Sequence, residues 1–182
     1  MEDPSGCIIP IQGIDTVYVT GSETKFGEDT TVFCDFGTVR FTDSTTFNDP
    51  IVRYDWSFGD GGTSTLQNPV HQYTAPGLYD VQLITETQFG CLDTLLKPAL
   101  IRVVESPLID IAGDSVICIY DSILHSGVFI RPDTSVVTWF WTFPNGNTST
   151  LQNPVIQSYN TASSFVVTAI ATNSTGCKDT TI

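Results

Sequence analysis

The side chains of this sequence that could take part in chemistry include two histidines, five cysteines and twenty carboxylic acids. His71 and His125 are the side chains whose ordinary pKa lies nearest neutrality, where general acid–base catalysis works best. Neither histidine has a nucleophile at a recognised spacing, and the sequence has no Gly-x-Ser-x-Gly, His-Glu-x-x-His or phosphate-binding loop. We therefore expect no catalytic residue and no enzyme activity in this chain.

The cysteines fall into two classes that recur along the chain. Three follow a glycine and two end a short apolar run; in chain order they are Cys7, Cys34, Cys91, Cys118 and Cys177. Periodic cysteines in small repeats indicate disulfides and an oxidising, extracytoplasmic setting. Zinc is a poorer explanation, because the sequence has no Cys-x-x-Cys and no neighbouring pair of histidines.

Two disulfide patterns remain open. The simpler one pairs Cys34 with Cys91 and Cys118 with Cys177, and leaves Cys7 for a preceding repeat. In an immunoglobulin-like sandwich, however, the first and last hairpin turns lie at opposite ends, whereas a disulfide needs Cα atoms within about 7 Å. The alternative joins neighbouring repeats by pairing Cys34 with Cys177, which would stiffen the array.

The elements that position these residues come from an internal repeat. The stretch from Tyr54 to Tyr79 returns about 85 residues later, and the run Thr-Ser-Thr-Leu-Gln-Asn-Pro-Val is identical at 63–70 and 148–155. Such self-similarity marks a repeat array. We expect residues 1–21 to end with the last strand of a preceding repeat, 22–105 to form one domain, and 106–182 to form a second domain that lacks its last strand.

Composition predicts an all-β protein that binds neither nucleic acid nor the membrane interior. Thr, Ser, Val, Ile and aromatic residues are abundant, whereas the sequence has one Met. The net charge is −13 with seven Lys and Arg, too few to neutralise a phosphate backbone. No run of about 18 apolar residues is present, so we expect no membrane insertion.

Alternation predicts which residues form the core of each repeat. Trp56 and Phe58 share one face of a strand at Val52–Phe58, and Trp141 and Phe143 do the same in the second copy. Further strands are predicted at Val70–Tyr73, Leu78–Thr85 and Leu100–Val104.

The turn after the first of these strands contains Asp60-Gly61, which suits a type I′ hairpin. The second copy has Asn145-Gly146, and Ile156 where the first has His71. An amide would abolish the role of a catalytic or metal-binding carboxylate, whereas a turn tolerates both residues. We therefore expect Asp60 to be conformational and His71 to have no shared chemical role.

The repeated motifs resemble the polycystic kidney disease (PKD) domain. The resemblance is carried by Trp-x-Phe-Gly-Asp-Gly at 56–61, Asn-Pro-x-His-x-Tyr at 68–73 and Pro-Gly-x-Tyr-x-Val-x-Leu at 76–83. The second copy keeps Trp141, Phe143 and Gly146 but not the Gly-Asp or Pro-Gly pairs. The resemblance implies tandem immunoglobulin-like (PKD-type) β-sandwiches.

The Gly-Cys-x-Asp-Thr sequences at 90–94 and 176–180 look like PKD repeats of large secreted proteins on gliding and filamentous bacteria. This implies an extracellular stalk or spacer in an adhesin or filament. Its partners would be neighbouring repeats, and surface glycans or other cell-surface proteins. The open edge of the second domain could also accept a strand from another chain, or be merely exposed.

The resemblance to PKD domains also suggests which ligands and modifications the chain could carry. Some PKD domains of secreted hydrolases bind calcium through an Asp directly after the strand tryptophan, but Ser57 stands there in this sequence. Asp43, Asp55 and Asp60 remain as weak calcium candidates, and we expect no other cofactor. Secreted bacterial proteins of this type can carry O-linked glycans on Asp-Ser/Thr triplets, which match here at Thr16, Thr30, Thr94, Ser115, Ser122 and Thr180.

A second functional hypothesis is a carbohydrate-binding accessory module of a secreted hydrolase. Such a module needs exposed aromatic rings as stacking platforms. Phe140 is the candidate, because it lies on the outward face of its strand where the first copy has Asp55.

Overall fold

The computed structural model describes residues 21–131 and 135–182. Across these residues the regular structure is β-strand and contains no helix, which confirms the predicted all-β class. No helix of the described chain is therefore long and apolar enough to cross a bilayer. The chain divides into Met1–Val104 and Glu105–Ile182, one residue from the predicted boundary. The last strand of a preceding repeat, predicted within residues 1–21, lies outside the described residues, which begin at Gly21.

The first unit is a sandwich of two sheets. Its strands are β1 Ser22–Glu23, β2 Phe26–Glu28, β3 Val32–Cys34, β4 Gly37–Asp43, β5 Thr46–Phe47, β6 Ile51–Ser57, β7 Thr63–Ser64, β8 Val70–Tyr73, β9 Gly77–Thr87 and β10 Leu92–Val104. One sheet has the order β3-β10-β9-β6-β7, the other has the order β2-β4-β8, and β1 pairs with β5. Strand β3 runs parallel to the end of β10, with Val32 opposite Arg102, whereas the remaining pairs are antiparallel.

Trp56 is the centre of the core of the first unit. Alternation along β6 turns its indole inward, where it is 2% exposed. Phe26 meets it edge to face with ring centroids 5.0 Å apart, and Phe58 stacks on Phe41 at 5.3 Å. Pairs of this kind add to the stabilisation that burial of the rings provides.

The second unit repeats this plan with a smaller core. Its strands are β11 Ile109–Ala112, β12 Ser122–Ile123, β13 Ser126–Phe129, β14 Val136–Thr142, β15 Thr148–Ser149, β16 Gln157–Ser158, β17 Thr168–Asn173 and β18 Lys178–Thr181. They form three sheets, with the orders β15-β14-β17-β18, β11-β13 and β12-β16. Trp141 and Phe143 are buried, as predicted, and together with Trp139 they pack on Ala169 and Ala171.

Several predicted strands differ from the structure. The prediction for Val70–Tyr73 is correct, but Leu100–Val104 is only the second half of the 13-residue strand β10. Strand β3 was not predicted. Its three residues show little alternation, and they pair with β10, which lies far along the chain. No local pattern therefore reveals the pairing.

The predicted type I′ turn is wrong. A type I′ turn needs positive φ at both central residues, but Asp60 and Asn145 are not among the residues with positive φ. In the second unit Gly146 N donates to Phe143 O, and Gly146 has φ of 86°. This is a three-residue loop in which a turn is followed by a left-handed glycine.

The within-repeat disulfide pattern is also wrong. Cys34 lies opposite Val104 at one end of β10, whereas Cys91 directly precedes the other end. Twelve steps of about 3.3 Å separate these ends by roughly 40 Å, far beyond the reach of a disulfide. In the second unit Cys118 is a free, exposed thiol, although Cys177 is disulfide-bonded. Cys34 and Cys91 are each disulfide-bonded as well.

Candidate functional site

Asp60 and His71 form a linked pair beside the core of the first unit. Asp60 Oδ2 lies 2.8 Å from His71 Nε2, and Asp60 Oδ1 accepts a 2.9 Å bond from Gly62 N. The imidazole stacks on Phe58, with ring centroids 4.1 Å apart. Burial acts to raise the pKa of Asp60, but hydrogen bonds from His71 and Gly62 outweigh it and hold that pKa below its ordinary value. The pair fastens the β6–β7 turn to β8.

The second unit makes the same link without charge. Asn145 Nδ2 and Asn147 Nδ2 donate to Gln157 Oε1 over 3.1 and 2.9 Å. Gln157 pairs with Ile123 as His71 pairs with Val39. The predicted correspondence of His71 with Ile156 is therefore wrong by one residue, because the strand register shifts relative to the sequence repeat. Since neutral amides replace the pair, its shared role is to hold a turn.

The identical eight-residue run clamps the core tryptophan in both units. Trp56 Nε1 donates to Leu66 O over 2.8 Å, and Leu66 N donates to Ser64 Oγ over 3.2 Å. The indole of Trp141 makes the same bond to Leu151 O at 2.8 Å. A buried indole N–H needs such an acceptor, and the repeated run supplies it from its main chain in both units.

The Gly-Cys-x-Asp-Thr sequence anchors the start of each unit. Asp93 Oδ2 accepts a 2.6 Å bond from Thr24 N, and Asp179 Oδ2 accepts a 2.8 Å bond from Ile109 N. The glycine before each cysteine has a positive φ, as the turn requires. In the sequence this motif indicates only a resemblance to PKD repeats of secreted proteins. The recurrence of Asp93 and Asp179 at the repeat period is nevertheless a signal of the structural role.

The three calcium candidates do not come together. Asp43 accepts bonds from Thr45 and from Gln67, and Asp55 pairs with Arg53 at 2.5 Å. The part of the chain that the structure describes holds no group of three or more carboxylate, His or Cys side chains suited to a metal ion. Each of the three candidate carboxylates instead has a separate protein partner, since Asp60 is paired with His71.

The candidate contact and modification residues lie mainly on the surface. Phe140 is 45% exposed on β14, opposite Ile170 of β17. Thr16 lies outside the described residues. Thr30 is half-buried, and the other proposed glycan acceptors are exposed, namely Thr94, Ser115, Ser122 and Thr180.

A cleft of about 770 Å³ opens in the second unit. Its lining includes the buried side chain of His125 and the half-buried side chain of Tyr159. His125 occupies the place that Phe41 takes in the first unit, and among the described residues its ring nitrogens have no hydrogen-bond partner. Burial lowers the pKa of His125 and raises that of Tyr159. A neutral imidazole without an orienting partner is a poor general base.

Both repeats match the family model of the PKD domain, at residues 22–100 and 104–182. The chain belongs to the PKD domain family. PKD domains are non-catalytic modules.

Among similar curated proteins, the "Microbial collagenase" of Vibrio alginolyticus is 37% identical over 87 residues, which cover 48% of this chain and 10% of that protein. "Collagenase ColQ1" of Bacillus cereus (strain Q1) is 55% identical over 40 residues, or 22% of this chain and 4% of that protein. The match thus spans a tenth or less of these relatives.

Solved structures similar to this chain include the PKD1 domain of the Vibrio cholerae metalloprotease PrtV. That domain is 29% identical, with a TM-score of 0.39, over 44% of this chain and 94% of its own. The fibronectin(III)-like modules of Clostridium thermocellum CbhA are 11% identical, with a TM-score of 0.42, over 86% of this chain and 92% of theirs.

Proposed function

We propose that these PKD repeats are a non-catalytic stalk or spacer in a secreted bacterial surface protein, an adhesin or a filament. One observation carries the proposal. The two units share the residues that build the fold, such as the tryptophan clamp and the Asp93 and Asp179 anchors. They differ where a chemical site would have to be kept, since Asp60 and His71 give way to amides.

An extracellular location is supported by the disulfides. Cys34, Cys91 and Cys177 are all disulfide-bonded, and such bonds persist outside the reducing cytoplasm. Antibodies raised against residues 21–182 test the proposal on the bacterium that makes the full-length protein. We expect them to bind intact cells, and protease treatment of intact cells to remove the signal. Binding only after lysis would overturn an extracellular stalk.

A carbohydrate-binding accessory module of a secreted hydrolase is the second candidate. Phe140 supports it, because an aromatic ring 45% exposed on a flat strand face is a possible sugar platform. The similarity to proteins named collagenases is in keeping with an accessory role. This candidate requires that retention on an insoluble ligand depend on Phe140.

A further inference from the structure

The outer face of the sheet β15-β14-β17-β18 in the second unit carries little charge. Alternation turns Trp139, Trp141 and Ala169 into the core, so the residues between them face outward. These outward residues are Thr138, Phe140 and Thr142 on β14, Thr168, Ile170 and Thr172 on β17, Lys178 and Thr180 on β18, and Thr148 on β15. We name this set the threonine face. Its one charged member is Lys178.

The strand registers put apolar side chains in the middle of the threonine face. Phe140 lies opposite Ile170, and the ring of Phe140 is 45% exposed. The pairs on either side of these two residues are all threonines, namely Thr138 with Thr172, Thr142 with Thr168 and Thr142 with Thr148. An apolar centre with a polar rim is the anatomy of a protein–protein interface.

The corresponding face of the first unit carries ion pairs instead. Arg53 contacts both Asp55 and Glu86, and its Nη1 lies 3.2 Å from Glu86 Oε2. By strand register, the second unit has Thr138, Phe140 and Thr172 at these three positions. The two units therefore share the fold of this sheet but differ in the charge of its outer face.

Charge favours a second copy of the chain as the partner of the threonine face. The formal net charge is −13, so two copies approach one another against a net repulsion. The threonine face carries no carboxylate, and Lys178 lies on its edge strand β18. A hydroxyl group both donates and accepts hydrogen bonds, so the threonines of one copy can bond to those of an identical face.

We propose that the threonine face binds the threonine face of a second copy, with Phe140 and Ile170 of each copy packed at the centre. A patch that binds its own copy forms a closed two-fold contact. Four strands about 4.8 Å apart, each contributing five residues that rise about 3.3 Å, give a face of roughly 300 Å² per copy. This area is smaller than a standard interface. The contact is therefore weak between free chains and gains strength where several copies are held side by side.

Sedimentation equilibrium of the whole chain, from micromolar to millimolar concentration, tests this proposal. Alkylation of Cys118 beforehand prevents covalent dimers. We expect the mean mass to rise toward that of a dimer. Phe140→Asp should weaken association at least tenfold, because it puts a carboxylate at the centre of both faces. Val155→Asp is the matched control, since it adds the same charge at a side chain that is 68% exposed in the same unit but outside the threonine face.

Opposite charges at the same position provide a second readout. Phe140→Asp and Phe140→Lys chains should each stay monomeric, whereas a mixture of the two should associate, because unlike charges then meet across the contact. Thr138→Arg combined with Phe140→Asp imitates the Arg53–Asp55 pair of the first unit, so it should keep the fold and still prevent association. Circular dichroism of each variant verifies that it is folded.

Three results would overturn the proposal. The first is a chain that stays monomeric at every concentration, and the second is association that Val155→Asp weakens as much as Phe140→Asp does. The third concerns an uncharged polysaccharide, the other ligand that such a face fits. Retention on cellulose that depends on Phe140, by a chain that does not self-associate, would assign the face to that ligand.

Discussion

The indole N–H of Trp56 donates a 2.8 Å hydrogen bond to the carbonyl oxygen of Leu66. Leu66 stands ten residues further along the chain, in the run that the second unit repeats without a change. The bond joins a core ring that is 2% exposed to a loop in which Leu66 is 65% exposed. The indole of Trp141 makes the corresponding bond in the second unit.

Replacement of Trp56 by Phe should destabilise the first unit by about 2 kcal/mol. The ring stays apolar, but Leu66 O loses its donor and part of the indole volume becomes a cavity. Urea unfolding followed by fluorescence and circular dichroism measures the change. Val52→Ala is the control, since Val52 is 62% exposed on the same strand, and a Trp56→Phe effect no larger than this control would contradict the clamp.

The Asp60–His71 pair should make the first unit sensitive to acid. Because the pKa of Asp60 is lowered in the folded state, its stabilisation is fully present above the unfolded pKa of about 4 and is lost as pH falls through the folded value. Asp60→Asn should therefore reduce the loss of Tm between pH 6 and pH 2. Asp80→Asn, a change of an exposed carboxylate in the same unit, serves as control. An unchanged acid profile in Asp60→Asn would refute this assignment.

Removal of the Asp93 or the Asp179 carboxylate should lower the stability of its own unit by a similar free energy. Asp179→Ala leaves Ile109 N without its carboxylate acceptor, and the cost of such a loss is about 1–3 kcal/mol. Asp93→Ala should cost a similar amount through Thr24 N. Hydrogen exchange at these two amides, with Asp121→Ala as control, reports the loss directly. Full protection in either variant would show that the anchor is dispensable.

Disulfide mapping without reduction should find no Cys34–Cys91 and no Cys118–Cys177 peptide. The bond between Cys34 and Cys177 stays a prediction. The alternative pattern, which joins neighbouring repeats, predicts a Cys34–Cys177 peptide in a non-reducing digest. Alkylation before reduction should mark Cys118. A Cys118 that resists alkylation in the denatured chain would contradict the free thiol.

Much of the fold could be predicted from sequence because it depends on local patterns. The inward faces of Trp56 and Trp141 follow from alternation, and the resemblance to PKD domains rests on residues around them. The long β10 strand was only half predicted, since a register shift between Lys97 and Ile101 breaks its pattern. Parallel pairing of β3 with β10 depends on residues far apart in the chain, and no local signal encodes it.

The sites were predicted less completely. Asp60 was rightly taken as a turn residue, but its partnership with His71 joins two strands and could not be read from spacing. The role of Gln157 was hidden by the one-residue shift in register.

Retention on insoluble ligands tests the stalk proposal most directly. The disulfide-intact chain is mixed with cellulose, chitin and fibrillar collagen, beside Phe140→Ala and beside Phe47→Ala, which changes a 54% exposed ring in the first unit. The account predicts no more retention than on an inert matrix, and no difference among the three proteins. Clear retention that Phe140→Ala abolishes and Phe47→Ala preserves would contradict it and establish a ligand-binding module.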